Sequence, residues 1–385
     1  MHVKHLTLAD FRNYHAAELE LEAGVTVFVG PNGQGKTNLV ESLGYLATLG
    51  SHRTSVDAAM IRAGADAAVI RALLRHVERE LLVEVQLNRG AANRAQVNRA
   101  AVRTRELPRY FSSVLFAPED LALVRGEPAT RRRFIDELLV QRSPRLAGVQ
   151  ADYARIVTQR NSLLKSARAQ RIKESQLSTL EIWDERLVEL GSELIDRRAA
   201  LVGELGEPLR AAYRAVAGVD QHPALSQRLS IYGAVGDEDD ADGDAVAIRS
   251  SGESTAAQFR AALSGVRRKE LERGLTLVGP HRDDLVFELN GLPAKGYASH
   301  GESWSFTLAL RLASAQLLRT ESAIGDPVLV LDDVFAELDA ARRRALASAI
   351  GDFEQVLITA AVLEDVPQEL GARLVRIRAG EVVGE

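Results

Sequence analysis

Cysteine is absent from all 385 residues, which excludes disulfides and thiolate metal sites and fits a reducing cytoplasm. Long apolar runs are missing as well: no segment approaches the roughly 18 residues of a membrane span. The eight histidines lack the spacing of a zinc site. The first residues, with Lys4 among Val3, Leu6 and Leu8, are expected to form a strand rather than a signal peptide. A net charge of −5 gives no drive toward indiscriminate polyanion binding, although a local basic surface can persist on an acidic chain.

What is present begins with size: 41.9 kDa at 46 % hydrophobic residues suffices for two or three domains with cores of their own. Gly30-Pro31-Asn32-Gly33-Gln34-Gly35-Lys36-Thr37 fits the Walker A pattern, after the apolar run Val25–Val29. A helix with Leu39, Val40, Leu43 and Leu46 on one face follows it. This context predicts amides from Gly33 to Thr37 around the phosphates, Lys36 on the β and γ phosphates, and a Thr37 hydroxyl on Mg²⁺. Gly30, Asn32, Gln34, Gly35 and Asn38 complete the expected ATP-contacting set.

Near the other end, Val328-Leu329-Val330-Leu331-Asp332-Asp333 fits Walker B, an apolar strand ending in acids. Asp332 is the expected Mg²⁺ partner, through water, and Asp333 is placed to orient or deprotonate an attacking water. Adjacent carboxylates repel unless a cation compensates them, and magnesium is that cation. Ser299-His300-Gly301-Glu302 opens a helix, leaving amides and a hydroxyl at a positive terminus suited to another γ phosphate. A site assembled from both ends of the chain requires those ends to fold together around an insertion.

Between them, residues 67–75, 81–88 and 94–98 alternate as antiparallel strands, with a turn at Asn88-Arg89-Gly90. Residues 129–141, 145–170 and 175–205 read as long charged helices, with Tyr153 and Trp183 as packing residues. The acidic stretch 237–244 reads as a surface loop. A helix over 255–272, strands over 276–280 and 285–289, and an αβ repeat from 303 onward complete the chain. The division expected is a head of 1–125 and 275–385 and a mainly helical arm of 126–274 carrying an acidic loop at about 236–245. Arg12, Arg53, Arg131, Arg132, Arg133, Arg267, Arg268 and Lys269 are candidates for phosphate contacts to DNA.

The ordered set of motifs resembles the ATP-binding-cassette ATPases of the SMC and Rad50 type, and within them the RecF family. The likeness runs through Phe11-Arg12-Asn13, the Walker A loop, Ser51-His52-Arg53-Thr54, Phe116-Ala117-Pro118-Glu119-Asp120 and Arg131-Arg132-Arg133-Phe134. It continues through Gly279-Pro280-His281-Arg282-Asp283-Asp284, the signature at Ser299–Glu302, and Asp332 to Asp339. The resemblance implies an α/β fold: an ABC-type P-loop ATPase head with an antiparallel β lobe and a helical arm insertion. It implies that two heads close on two ATP molecules, each held by the Walker residues of one copy and by Ser299, Gly301 and Glu302 of the other. Glu337 and Asp339 match the loop that crosses that interface. Duplex and gapped DNA, RecR, and functionally RecO and RecA are the partners implied, in gap repair, fork maintenance and the SOS response, in the cytoplasm at the nucleoid.

Departures from that pattern carry their own expectations. Glu302 stands where glutamine is usual and is expected to cap its own helix. Asp333 replaces a longer glutamate, which points to slow turnover. No histidine lies at Thr359-Ala360-Ala361, the usual switch position, and Glu119 or Asp120 takes the lid position after Phe116. Two other readings of the same motifs stay open at this level: an ATPase subunit of a membrane transporter, and a nucleotide-regulated scaffold without turnover.

Overall fold

Alternating apolar and polar residues in the N-terminal lobe build an antiparallel sheet. It comprises β1 (His2–Phe11), β2 (Tyr14–Glu20), β4 (Ala67–His76), β5 (Arg79–Asn88), β6 (Arg94–Val97) and β7 (Ala100–Val102), in the order β2-β1-β4-β5-β6-β7. The computed structural model describes residues 1–170, 178–233, 253–322 and 324–383. Leu6, Leu8, Ile70, Ala72, Val83 and Val85 are buried from this sheet in one core with Leu39, Val40, Leu43 and Leu46 of α1 (Lys36–Thr48).

The second six-stranded sheet joins the two ends of the chain. Its strands are β3 (Gly24–Val29), β8 (Ser113–Phe116), β12 (Val328–Asp332), β13 (Gln355–Ala360), β14 (Arg373–Arg378) and β15 (Glu381–Val382). The order is β15-β14-β3-β13-β12-β8, and every pairing is parallel except that of β15. Strands β12 and β13 are buried at every residue, as expected of parallel strands covered on both faces. Strand β3 lies between β13 and β14, so the strand that feeds the Walker A loop is held on both edges by C-terminal residues.

The helical part comprises α2 (Leu121–Arg125), α3 (Pro128–Arg142), α4 (Leu146–Gln170), α5 (Ser178–Ala217) and α6 (Thr255–Arg273). Helix α4, the first half of α5 and α6 share a core of Tyr153, Leu187, Leu190, Leu194, Phe259 and Leu263. Helix α3 and the second half of α5 belong elsewhere: Phe134, Leu138, Leu205, Leu209 and Tyr213 pack with Trp304 and Phe306 in the core of the parallel sheet. Those last two residues lie on α8 (His300–Glu321), reached through β9 (Ala224–Arg228), β10 (Asp284–Leu289), β11 (Leu292–Pro293) and the single turn α7 (Ala294–Tyr297); α9 (Ala340–Ile350) follows. Among the described residues, no helix is long and apolar enough to cross a membrane.

Two expectations need correction. Residues 276–280 form a turn rather than a strand, because side chains satisfy the backbone. Thr276 donates its N–H to Asn161 Oδ1 at 2.7 Å, and Gly279, at φ +124°, donates to Ser230 Oγ at 2.8 Å. Helix α5 also runs past 205 to Ala217 in spite of Pro208. The acidic stretch 237–244, and 175–177 at the predicted start of α5, lie outside the described residues. Tyr153 is buried and Trp183 is partly buried against the same arm core, as packing residues should be.

That turn buries two titratable neighbours with opposite pH responses. Burial pushes the His281 imidazole down to about 4, and its ring nitrogen lies 2.7 Å from the Tyr153 hydroxyl. Burial also pushes Asp283 up to about 6, against the pull of its Ser230 hydrogen bonds. His281 therefore contributes stability above its unfolded value near 6.5 and loses it as pH falls toward 4. Asp283 contributes below its unfolded value of 3.8 and loses this as pH rises through about 6. Relative to the parent, Asp283→Asn should thus gain about 2–3 kcal/mol between pH 4 and 7. His281→Asn should show the opposite slope. Urea midpoints at several pH values check both signs.

Candidate nucleotide-binding site

The register of the parallel sheet places three side chains together. Asp332 at the end of β12 is paired in register with Thr359 of β13, which is paired in turn with Phe28 of β3, just before the Walker A loop. Thr359 Oγ1 donates to Asp332 Oδ1 at 2.6 Å and accepts from the Asp333 N–H at 3.0 Å. Thr37 Oγ1, in the first turn of α1, donates to the same Asp332 oxygen at 3.0 Å. Two hydroxyls thus hold the first Walker B acid, and one of them also fixes the backbone of the second.

Burial pushes the Asp332 carboxyl up, and its two hydroxyl donors pull the other way. Asp333 adopts φ 56°, a left-handed conformation that aspartate tolerates better than most residues. Among the described residues, its buried Oδ1 has no hydrogen-bond partner. Such an atom costs free energy unless something fills the site. Lys36 donates to Gly30 O at 2.7 Å and Pro31 O at 3.1 Å, and desolvation lowers its pKa against the pull of Asp333 and Asp332. Asn32, Lys36, Thr37, Arg53, Asp333 and Thr359 line one cavity of about 250 Å³. Hard oxygen donors beside an amide-lined loop and a lysine fit a magnesium-bound triphosphate.

The β1–β2 turn braces the loop from outside. Tyr14 donates to Gly35 O at 3.0 Å, Asn13 Nδ2 to Gln34 O at 3.3 Å, and Asn38 Nδ2 to Asn13 Oδ1 at 2.7 Å. Gly35 sits at φ +111°, where a side chain would be strained and its Cβ would meet Asn13 at 2.7 Å. Gln34 accepts from the Ala379 N–H at 2.7 Å, so the C-terminal strands brace the loop too.

At the signature, Ser299 and Glu302 form a complete capping box: Ser299 Oγ accepts from the Glu302 N–H at 3.2 Å, and Glu302 Oε2 accepts from the Ser299 N–H at 2.8 Å. The other Glu302 oxygen accepts from Gln221 at 2.7 Å. Glu302 therefore caps its own helix, with both oxygens engaged. Ser299 is exposed, and Arg342 lies over Gly301, 3.1 Å from where a Cβ would stand. Asp339 caps α9 through the Arg342 N–H and pairs with the Arg342 side chain, which also donates to Ser305 Oγ at 3.1 Å. Asp120, expected at the lid, is instead buried in an ion pair with Arg311.

The comparisons bear on this geometry. The family described as RecF/RecN/SMC N terminal domain matches residues 2–381. The "DNA replication and repair protein RecF" of Leifsonia xyli subsp. xyli is 69 % identical over 385 residues, covering 100 % of this chain and 99 % of the relative. This chain belongs to the RecF family. The RecF relative of Streptomyces avermitilis is 52 % identical over 99 % of both chains. The solved recombination mediator protein "RecF-ATPrS in RecFOR pathway" matches with TM-score 0.85 at 26 % identity, over 99 % of this chain and 97 % of that one. An SMC head bound to the C-winged helix domain of ScpA, at TM-score 0.52 and 13 % identity over 100 % of this chain and 97 % of that one, shares the fold alone. The architecture is thus the α/β, ABC-type P-loop head of the RecF and SMC group. Membership of the RecF family removes the transporter-subunit reading.

The arginine candidates separate by burial. Arg131 is buried and bidentate to Asp284 Oδ1 and Oδ2, at 2.8 and 2.9 Å, so it ties α3 to β10 and is no DNA contact. Arg132 is half-buried against the Asp283 carbonyl, Arg267 pairs with Asp184, and Arg12 forks onto buried Glu41. These three also serve the fold. Arg133 bridges Glu137 and the Ser51 carbonyl while staying partly exposed. Arg53 donates to Asn38 Oδ1 at 2.8 Å at the phosphate cavity. Arg268, 91 % exposed beside Glu272, and exposed Lys269 remain open to solvent on α6.

The sequence places Thr359 at the switch position and Asn13 in a family motif, but their contacts, like those of Tyr14, Gln221 and Arg342, come from strand register and tertiary packing. Thr359→Val keeps the shape of the side chain and leaves the Asp333 N–H with one acceptor fewer. It should slow phosphate release about tenfold or more while Thr359→Ser stays near the parent, in a steady-state phosphate assay.

Proposed function

We propose that this chain is an ATP-dependent DNA-binding protein of recombinational gap repair and replication maintenance. Membership of the RecF family supports ATP binding and a part in recombination repair in general terms. The observation that carries the finer reading is the hydroxyl-linked Walker pair, Thr37–Asp332–Thr359, with an unpartnered Asp333 oxygen beside it. In this reading the loop amides from Gly33 to Thr37, together with Gly30, Asn32, Gln34 and Asn38, hold the triphosphate. Lys36 leaves its own loop carbonyls for the β and γ phosphates. Thr37 and Asp332 would hold magnesium, which would neutralise charge developing on the phosphates. Asp333 accepts the proton of the attacking water; its short side chain supports weak turnover, which DNA stimulates in this reading.

A second copy completes the site. Exposed Ser299 and half-buried Gly301 at the capped N-terminus of α8 supply amides to the ATP of the partner, and Asp339 crosses the same interface. Closure traps duplex DNA beside gaps or single-strand/double-strand junctions, and hydrolysis releases it. An arm built from α4, the first half of α5 and α6 stands off the head, with Arg268 and Lys269 its exposed basic contacts. RecR is the direct partner and RecO and RecA act downstream, in the cytoplasm at the nucleoid.

Lys36→Met should abolish ATP-induced dimerisation and weaken DNA retention; ATP-dependent dimers of that variant in light scattering would overturn the reading. Asp333→Asn should trap closed dimers on DNA, and rapid multiple-turnover phosphate release from it would remove Asp333 from the catalytic role.

A further inference from the structure

Between the last turns of α5 and the signature, a short relay of polar side chains leads from the apolar core of the head to its surface. Tyr213, in the last turns of α5, is fully buried, with its ring edge-on to Phe306 of α8 at 6.4 Å. Its hydroxyl donates to Gln221 Oε1. Gln221 Nε2 donates to Glu302 Oε1 at 2.7 Å, while Glu302 Oε2 accepts from the Ser299 N–H at 2.8 Å. The main chain of Gln221 is fixed independently, because its carbonyl accepts from the Asn290 N–H at 2.7 Å.

The chemistry allows one arrangement. An ionised carboxylate only accepts, so the glutamine must turn its amide nitrogen to Glu302 and its oxygen to the tyrosine hydroxyl. Donation therefore runs one way from Tyr213 through Gln221 into the Glu302 carboxylate, which accepts the Ser299 N–H of the signature cap on its other oxygen. Core packing holds the body of α8, and the relay adds a polar tether at its exposed first turn.

We propose that Gln221, oriented by Tyr213, is a positioning residue that holds the signature cap at the angle two heads need to close on ATP. The last turns of α5 thereby help to set closure, through this amide as well as through their apolar packing on α8. This rests on the reading of ATP-driven dimers given above. Neither residue touches nucleotide.

The test reciprocally exchanges the two polar side chains in the full-length chain. Gln221→Glu places two carboxylates in contact. It should raise the protein concentration for half-maximal ATP-dependent dimerisation about tenfold or more, with light scattering as the readout. Binding of a fluorescent ATP analogue to the monomer should stay near the parent. Gln221→Glu combined with Glu302→Gln restores every hydrogen bond of the relay with the roles reversed, and should recover dimerisation to within about threefold of the parent. A merely structural loss would instead lower the urea midpoint and weaken analogue binding to the monomer, both of which should stay near the parent. If Gln221→Glu does not fold, Gln221→Ala replaces it and should weaken dimerisation in the same sense without altering monomer binding. Parent-like dimerisation of the Gln221 variants, or no recovery in the exchanged pair, overturns the inference and leaves the dimer reading standing. A parent chain that fails to dimerise with ATP overturns both.

Discussion

The structure depends on one threonine between two acids and a loop. Thr359 reaches Asp332 and the backbone of Asp333 from the strand that separates Walker A from Walker B. Its position follows from register, since a slip of one residue in β13 would turn the hydroxyl to the other face of the sheet. The parallel sheet in turn needs both ends of the chain. The phosphate pocket is thus a property of the assembled head and not of either motif alone.

Charge is handled locally throughout. Glu41, buried beneath Arg12 and Ser51, is pushed up by burial but held below its usual range by those two donors, which keeps Arg12 fixed beside the loop. In the arm, buried Arg160 joins Asp184, Glu270 and Thr276. Such groups are strongly destabilising to break even where they add little net stability, so they set geometry more than free energy. The same holds at the signature, where a cap, an amide and a guanidinium surround one carboxylate.

The motifs that hold phosphate were legible because their chemistry is local: glycine turns, a lysine and a helix start fall within one short stretch of chain. The strands and helices around them followed from periodicity. What escaped depends on distance in sequence. Thr359 looks like the end of any buried strand until β12 is laid beside it, and Gln221 is an ordinary polar residue until α5 and α8 meet. Arg131 belongs to a basic run, and nothing in that run shows that Asp284 buries it. The charged helices begin at 129 by their pattern, yet α3 packs under the head, because amphipathic pattern reports that a face is buried and not against what. Residues 276–280 were misread because apolar content suggested a strand, while the hydrogen-bond acceptors came from Asn161 and Ser230.

The placement of β3 between β13 and β14 has a consequence for synthesis. A nascent chain emerging from the ribosome carries the whole glycine loop early, but both strand neighbours of that loop are translated last. An unfinished polypeptide therefore holds a phosphate motif with no pocket around it. Only a copy whose C-terminal strands have been made holds the assembled pocket.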